Sequence, residues 1–491
     1  MPPRKEVISM SRTGFFVGGE RVQGSGQPFA SVNPATGETN YELAAAGAGD
    51  VAHCVAIAKE ALARSQWCGL RPPERARILG AIADGIVARS EDLAMIQLRE
   101  NGKVLAECRA QVASAAATFR YYAAVCETAG AEVTPSRGDY LSMTSYEPIG
   151  VVAAITPWNS PLTMEAQKIA PALAGGNAVI VKPSEVTPSG ALAVAEIALA
   201  AGLPAGILNV LTGTGVETGI PLVSHPDVRM VSFTGGTETG RSIAKIAAER
   251  LIPVALELGG KSPHIIFEDA DLERAAAAVQ DGIFEGSGQS CVAGSRLFVQ
   301  RPVLQRMIEL MRARAEAIAV GMPLDPGSKM GPLASFRHRE HVERFVHSAR
   351  AEGGEILAGG GRPSDAGLAK GAFYMPTLIG GLDPSAHACR EEIFGPVLCI
   401  LAFDDEEDLV AQANGTAYGL AAGIWSLDVT RALRVARRLE AGTVWINTYK
   451  QLSIATPFGG YKDSGIGREK GVGGMRLYQQ IKSIYLGGVR L

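Results

Sequence analysis

The chain is predicted to be an α/β protein: a doubly wound parallel-sheet domain, a second α/β domain and a small separate β element. Three observations predict this. From Ile149 onward short apolar runs alternate with helical stretches, and the same rhythm resumes beyond residue 260. Two strand-like segments, at 131–148 and at the C-terminal end, stand apart from both runs. Strand–helix alternation of this spacing implies right-handed crossovers and a parallel sheet covered on both faces. At 491 residues the chain exceeds what one core sustains, so several domains are expected.

The elements follow in order. The first ten to twelve residues are polar and expected to be loosely held. Residues 50–66 and 72–130 read as long amphipathic helices, with Asp50 as an N-cap and Pro72-Pro73 marking a helix start. Residues 131–148 read as a hairpin turning at Arg137-Gly-Asp139. Strands are expected at 150–155, 178–181, 207–211, 229–233 and 253–258, with helices near 161–174, 188–201, 215–224 and 238–250. This is the pattern of a dinucleotide-binding type of domain. The second rhythm, 261–449, places strands near 263–267, 296–300, 397–403 and 443–446, and residues 480–487 read as a terminal strand. A hairpin and a terminal strand are edges that need partners, which predicts a homo-oligomer, dimer or tetramer.

Bulk properties narrow the function. A net charge of −3 provides no basic surface for nucleic acid or an acidic membrane. No run of about 18 apolar residues predicts a transmembrane helix, and Met1-Pro-Pro-Arg-Lys-Glu leads into no apolar signal segment. Seven cysteines without CxxC pairs argue against a disulfide framework and a cysteine zinc site, and favour a reducing, cytoplasmic setting. His338 and His341 have HxxH spacing, but the charge around them reads as a solvated helix face rather than a metal site. No metal is expected.

Cys291 lies in Glu285-Gly-Ser-Gly-Gln-Ser-Cys291-Val-Ala-Gly-Ser-Arg296, a loop whose backbone amides can stabilise a thiolate. That context fits a nucleophile and a neutral loop residue equally. The other six cysteines sit in helical, strand-like or connecting segments and read as small hydrophobes. Glu257, between Leu256 and Leu258 at a strand's carboxyl end, fits a general base with a raised pKa or a carboxylate capping a turn. Asn159, pinned between Pro157 and Pro161, can donate to an oxyanion or simply stiffen a turn.

Phe233-Thr-Gly-Gly-Thr-Glu-Thr-Gly240 follows a strand and opens a helix, which suits either a phosphate cradle or a plain turn. Gly213-Thr-Gly215 reads as structural on its own. Lys182-Pro-Ser-Glu185 ends a strand, as a ribose-binding pair or as a surface turn. Glu185 would repel a 2′-phosphate, which favours NAD over NADP.

Thr156-Pro-Trp-Asn159, Lys182-Pro-Ser-Glu185, Phe233-Thr-Gly-Gly236, Glu257-Leu-Gly-Gly-Lys261, Gly288-Gln-Ser-Cys291, Glu391-Glu-Ile-Phe-Gly-Pro396 and Pro457-Phe-Gly-Gly-Tyr-Lys-Asp-Ser-Gly465 together resemble the NAD(P)-dependent aldehyde dehydrogenase superfamily, in order and spacing, from about residue 13 onward. The resemblance implies that Cys291 attacks the aldehyde carbon, that Asn159 and the Cys291 N–H hold the oxyanion, and that Glu257 activates the water that hydrolyses a thioester. It implies cofactor contacts from Lys182, Glu185, Gly235, Gly236, Glu392, Trp158 and Phe394, and further from Thr156, Gly215, Thr234, Leu258 and Gly259. Glu469 resembles a proton relay, with Lys182 as a second candidate. The implied layout is an NAD-binding domain (1–130 and 149–258), a catalytic domain (259–450), an oligomerisation element (131–148 and 475–491) and a substrate or anchor loop (451–474).

Departures from the pattern concern substrate. Gly236 stands where serine is frequent, and Gln167 and Leu452 stand where many relatives carry aromatics. With Met164, Ser290 and Val292 they are expected to line a wide or polar tunnel, suited to a larger or polar-substituted aldehyde or a semialdehyde. This argues against an aromatic cage for quaternary ammonium. A CoA-acylating enzyme is the nearest alternative, opposed by Glu257. A catalytically idle protein on the same fold and a cysteine hydrolase are the others.

Overall fold

A computed structural model describes residues 14–488 except 66 and 136; the polar start of the chain lies outside these residues. The first sheet has eight strands in the order Glu20–Val22, Phe15–Val17, Leu208–Val210, Ala178–Lys182, Val151–Ile155, Val228–Thr234, Val254–Glu257 and Gly465–Ile466. Its five central strands are parallel, and the flanking pairings are antiparallel. Helices Pro161–Ala174, Ser189–Ala200 and Thr237–Glu249 supply the crossovers, as the alternation predicts. Strands such as Val151–Ile155 and Ala178–Lys182 are buried throughout, because helices cover both faces.

The predicted helical run 72–130 is three helices, Pro72–Ala88, Ser90–Asn101 and Leu105–Thr128. Gly102, at φ +77°, ends the second, and a side chain there would press into Pro34 and Pro332. The expected helix 215–224 is a wider turn, Gly215–Gly219, leading into the short helix Ile220–Ser224.

The second sheet orders Glu355–Ala358, Thr377–Gly380, Val397–Phe403, Arg296–Gln300, Pro263–Ile266, Ala421–Trp425 and Thr443–Ile446. All pairings are parallel except that of Glu355–Ala358. The chain enters this sheet directly from the Glu257 strand, so the carboxyl edge of the first sheet adjoins the amino edge of the second, where the Cys291 loop leads into Arg296–Gln300. Residues 131–148 form Val133–Thr134 and Tyr140–Pro148, and the terminal strand Gln479–Gly487 pairs antiparallel along the whole of the latter. The two predicted edges therefore satisfy each other within one chain, leaving Gln479–Gly487 as the outer edge. Among the described residues no helix is long and apolar enough to cross a membrane.

Candidate active site

Three neighbouring strands of the first sheet end side by side. Val151–Ile155 leads into the loop with Asn159, Val228–Thr234 into Gly235-Gly236, and Val254–Glu257 ends on Glu257 itself. Parallel register sets Thr234 opposite Glu257, and the Gly235 N–H donates to the Glu257 carbonyl at 3.0 Å.

The nucleophile loop comes from the second sheet. Helix Leu272–Phe284 stops, and Gly286, Ser287 and Gly288 all adopt left-handed backbone conformations, with φ of 65°, 58° and 71°. A Cβ on Gly288 would collide with the Gly395 carbonyl, so the loop sits hard against the Glu391–Pro396 segment. Buried Gln289 ties it down: its Oε1 accepts from the Ala334 N–H at 2.8 Å, and its Nε2 donates to the Gly286 carbonyl at 3.2 Å. The Ser287 hydroxyl donates to the Gly331 carbonyl at 2.8 Å. Across the cleft Asn159 Nδ2 donates to the Gln289 carbonyl at 2.9 Å, which brings the pinned amide to the approach of Cys291.

Cys291 is half-buried, and its thiol is pushed up to about 12, first by desolvation and then by Glu392 and Glu257. The Cys291 N–H and the nearby Lys470 ammonium favour the thiolate but are outweighed. Glu257 is buried, and neither of its carboxylate oxygens has a hydrogen-bond partner among the described residues. Burial first, and the Glu469 charge second, push it well above the usual carboxylate range.

Glu469 reaches this centre because Phe458 and Glu469 exchange backbone hydrogen bonds of 2.9 and 2.8 Å, folding the segment back on itself. Its carboxylate lies 2.6 Å from the Lys168 Nζ, with both groups buried. Lys168 also donates to the Ser232 hydroxyl at 3.1 Å, and the Tyr478 hydroxyl donates to the same oxygen at 3.0 Å. The lysine beside Glu469 is thus Lys168 and not Lys182, which stands 3.6 Å from Glu185 at the end of its own strand.

A cleft of about 880 Å³ gathers most of the predicted residues. Trp158, Asn159, Thr234, Gly235, Gly236, Glu257, Leu258, Gly259, Cys291, Glu392, Phe394 and Glu469 line it, as do Met164, Gln167, Ser290, Val292 and Leu452. Thr156, Lys182, Glu185 and Gly215 do not line it. The Thr156 N–H donates to the Lys182 carbonyl at 3.2 Å, and Gly215 starts the turn that Thr214 caps. Gly236 is the N-cap of helix Thr237–Glu249, and the position of its missing Cβ faces open space. The hydroxyls of Thr156 and Thr234 are buried without partners among the described residues. Glu392 accepts from the Gly260 N–H at 3.0 Å, and burial pushes it up to about 7. A Cβ on Gly259 would stand 2.5 Å from the Glu392 carboxylate, which would have to shift to admit it.

Phe394 has φ of 57° and packs edge-on to Trp158, with ring centroids 5.3 Å apart. His338 completes this group, 5.0 Å from Trp158, with its Nε2 2.7 Å from the Phe394 carbonyl. Its helix face is therefore packed and not solvated, which corrects the reading of His338. Lys103, Gln111, Lys450, Phe458 and Lys470 also line the cleft and were not anticipated. Lys168 was missed as well, although a lysine inside the apolar helix 161–174 was a visible signal.

Comparison with known proteins agrees with this geometry. The aldehyde dehydrogenase family model matches residues 22–484. A betaine aldehyde dehydrogenase of Staphylococcus aureus, solved with NAD+, superposes with a TM-score of 0.96 at 37% identity over 99% of this chain and 96% of that one. A variant of the same enzyme carrying NAD+ and a BME-modified cysteine gives 0.95 at 37% identity over 98% of each chain. A variant aldehyde dehydrogenase of Bacillus cereus gives 0.95 at 38% identity over 97% of each chain. The chain is a member of the aldehyde dehydrogenase family.

Proposed function

We propose that the protein oxidises an aldehyde to the carboxylic acid, with NAD+ as oxidant and Cys291 as nucleophile. The observation that carries this reading is the convergence of Cys291, Asn159 and Glu257 on one cleft, with the Asn159 amide bonded to the nucleophile loop. The Cys291 thiol gives up its proton to water in the open cleft; attack of the sulfur on the carbonyl carbon then places negative charge on oxygen, and the Asn159 amide and the Cys291 N–H stabilise it. When bound, NAD+ accepts the hydride that the thiohemiacetal carbon releases, leaving a thioester on Cys291. Glu257 takes a proton from water, and the hydroxide equivalent adds to the thioester and expels the thiol. Glu469, held by Lys168, receives the proton from this buried centre.

The chain's residues fit the dinucleotide. Unpartnered threonine hydroxyls and an open glycine at a helix N-terminus are what phosphate and ribose groups require. Lys182 and Glu185 would hold the adenine ribose, Gly235 and Gly236 the pyrophosphate, and Glu392 the second ribose. Thr156, Gly215, Leu258 and Gly259 would complete the cofactor wall. NAD+ in the S. aureus relatives supports the same choice here. The Glu185 carboxylate, with its side chain 47% exposed, favours it over NADP+. The polar side chain of Gln167 and the open position of Leu452 suit a larger or polar aldehyde. We take residues 1–130 and 149–258 as the cofactor domain, 259–450 as the catalytic domain, and 131–148 with 475–491 as the homo-oligomerisation element.

Aldehyde-dependent NADH formation, measured with and without CoA, tests the reading. We expect turnover that needs no CoA and vanishes in Cys291→Ala. An absolute CoA requirement would replace hydrolysis by acyl transfer.

A further inference from the structure

The outer part of the cleft holds two lysines that the chemistry above does not use. Lys103, in the Asn101-Gly-Lys103 link between two helices, is only 7% exposed yet lines the cleft. Its ammonium has no ion-pair partner among the described residues. Its stem is buried while the ammonium reaches the open cleft, where a substrate anion would meet an unpaired positive charge. The ammonium occupies the space above Gly286, where any Cβ would collide with Nζ, and Gly286 carries φ of 65°. The nucleophile loop therefore has a glycine at the position that lets this cation reach the cleft.

Two carboxylates, Glu107 and Glu285, line the same part of the cleft, and neither forms an ion pair with Lys103 among the described residues. Glu107 is committed to the loop, accepting from the Gly286 N–H at 2.7 Å. Glu285 lies 3.4 Å from Lys450 and is 57% exposed, so that pair is weak and solvent-screened. Lys450 is itself largely buried, with its side chain 16% exposed, and donates to the Asp281 carbonyl at 3.0 Å. Lys450 and Glu285 also line an adjoining hollow of about 1030 Å³, which marks this as the outer end of the cleft. Between here and Cys291 the wall is partly polar, with Gln111 Oε1 buried and unpartnered.

We propose that Lys103 and Lys450 form a receptor for an anionic group, so that the preferred aldehyde carries a carboxylate at the end remote from its carbonyl. The proposal rests on the oxidation reading above and adds the substrate class to it. A substrate carboxylate supplies the counter-charge that Lys103 lacks, through charge-assisted hydrogen bonds. A quaternary ammonium aldehyde meets two like charges instead, so the preference runs opposite to that named for the S. aureus relatives.

The test compares kcat/KM with NAD+ for butanal and 4-oxobutanoate, for pentanal and 5-oxopentanoate, and for an aldehyde ending in trimethylammonium. We expect each carboxylate to exceed its neutral partner by at least about tenfold, and the cation to be the poorest substrate. Lys103→Met and Lys450→Gln should each lower the anion-to-neutral ratio several-fold, and Lys450→Glu more. If Lys103→Met does not fold, the two Lys450 variants carry the measurement. Ratios near one in the wild type, or ratios unchanged in the variants, overturn the proposal while leaving the oxidation reading intact. A wild type that oxidises none of these aldehydes overturns both.

Discussion

Burial raises the proton affinity of Cys291 and of Glu257, so the reaction depends on drawing protons away from both. Glu257 must be ionised to act as a base. With its pKa raised, the hydrolytic rate should climb with pH well beyond the usual carboxylate range; a flat kcat profile between about pH 5 and 9 would contradict this. Glu257→Gln should lower kcat by about 10²–10³-fold while the first-turnover burst of NADH persists, because acylation precedes hydrolysis. Loss of the burst would remove Glu257 from the second half of the reaction. Local context left two readings open for each of Cys291, Glu257 and Asn159, and the ordered motifs of the family singled them out; the fold brings all three to one cleft. Lys168 was not legible, because the carboxylate that explains it lies 301 residues away.

At the scale of elements, the contact between Gly288 and Gly395 fixes the nucleophile loop against the segment carrying Glu392 and Phe394. Gly288→Ala forces backbone against backbone, so we expect activity to fall by at least about 100-fold with an unchanged far-UV CD spectrum. Retained activity would show that the loop adapts. The burial of Glu100, in helix Ser90–Asn101, and of Glu165, in helix Pro161–Ala174, carries a second consequence, since the Glu100 charge acts on Glu165. Glu100 accepts from the Tyr41 hydroxyl and from the Ser189 N–H at 3.1 Å, and burial pushes it from 4.5 up to about 8. A carboxyl raised in the folded state contributes stability that is fully present below about pH 4.5 and is lost as pH rises through about 8. Tm should therefore fall from pH 5 to 9, and Glu100→Gln, which keeps an acceptor oxygen, should reduce that fall by roughly a few degrees. An identical pH dependence in the variant would place the ionisation elsewhere. Strands 296–300, 397–403 and 443–446 were legible as short apolar runs, Leu297–Val299, Val397–Phe403 and Val444–Ile446. Ala421–Trp425 was not, since its Ala-Ala-Gly start has little strand propensity, and burial between two parallel neighbours decides it.

For the whole molecule, the outer strand Gln479–Gly487 leaves Ile481 65% and Tyr485 67% exposed beside Ile484 and Leu486. An unpaired edge with apolar side chains is a template for association. Ile481→Lys with Tyr485→Glu should lower the mass measured by light scattering, and an unchanged mass would assign assembly to another surface. The doubly wound plan was legible because it follows from alternation alone. The union of hairpin and terminal strand was not, because antiparallel pairing such as Ile481 with Tyr146 joins segments remote in the chain.

The raised thiol pKa of Cys291 also governs how the protein ages. Peroxide attacks the thiolate, and sulfinic and sulfonic products of such attack are irreversible for most enzymes. A thiol held at about 12 exposes almost none of that form at neutral pH. Burial first, and the Glu392 and Glu257 carboxylates second, thereby shield the resting thiol from oxidants.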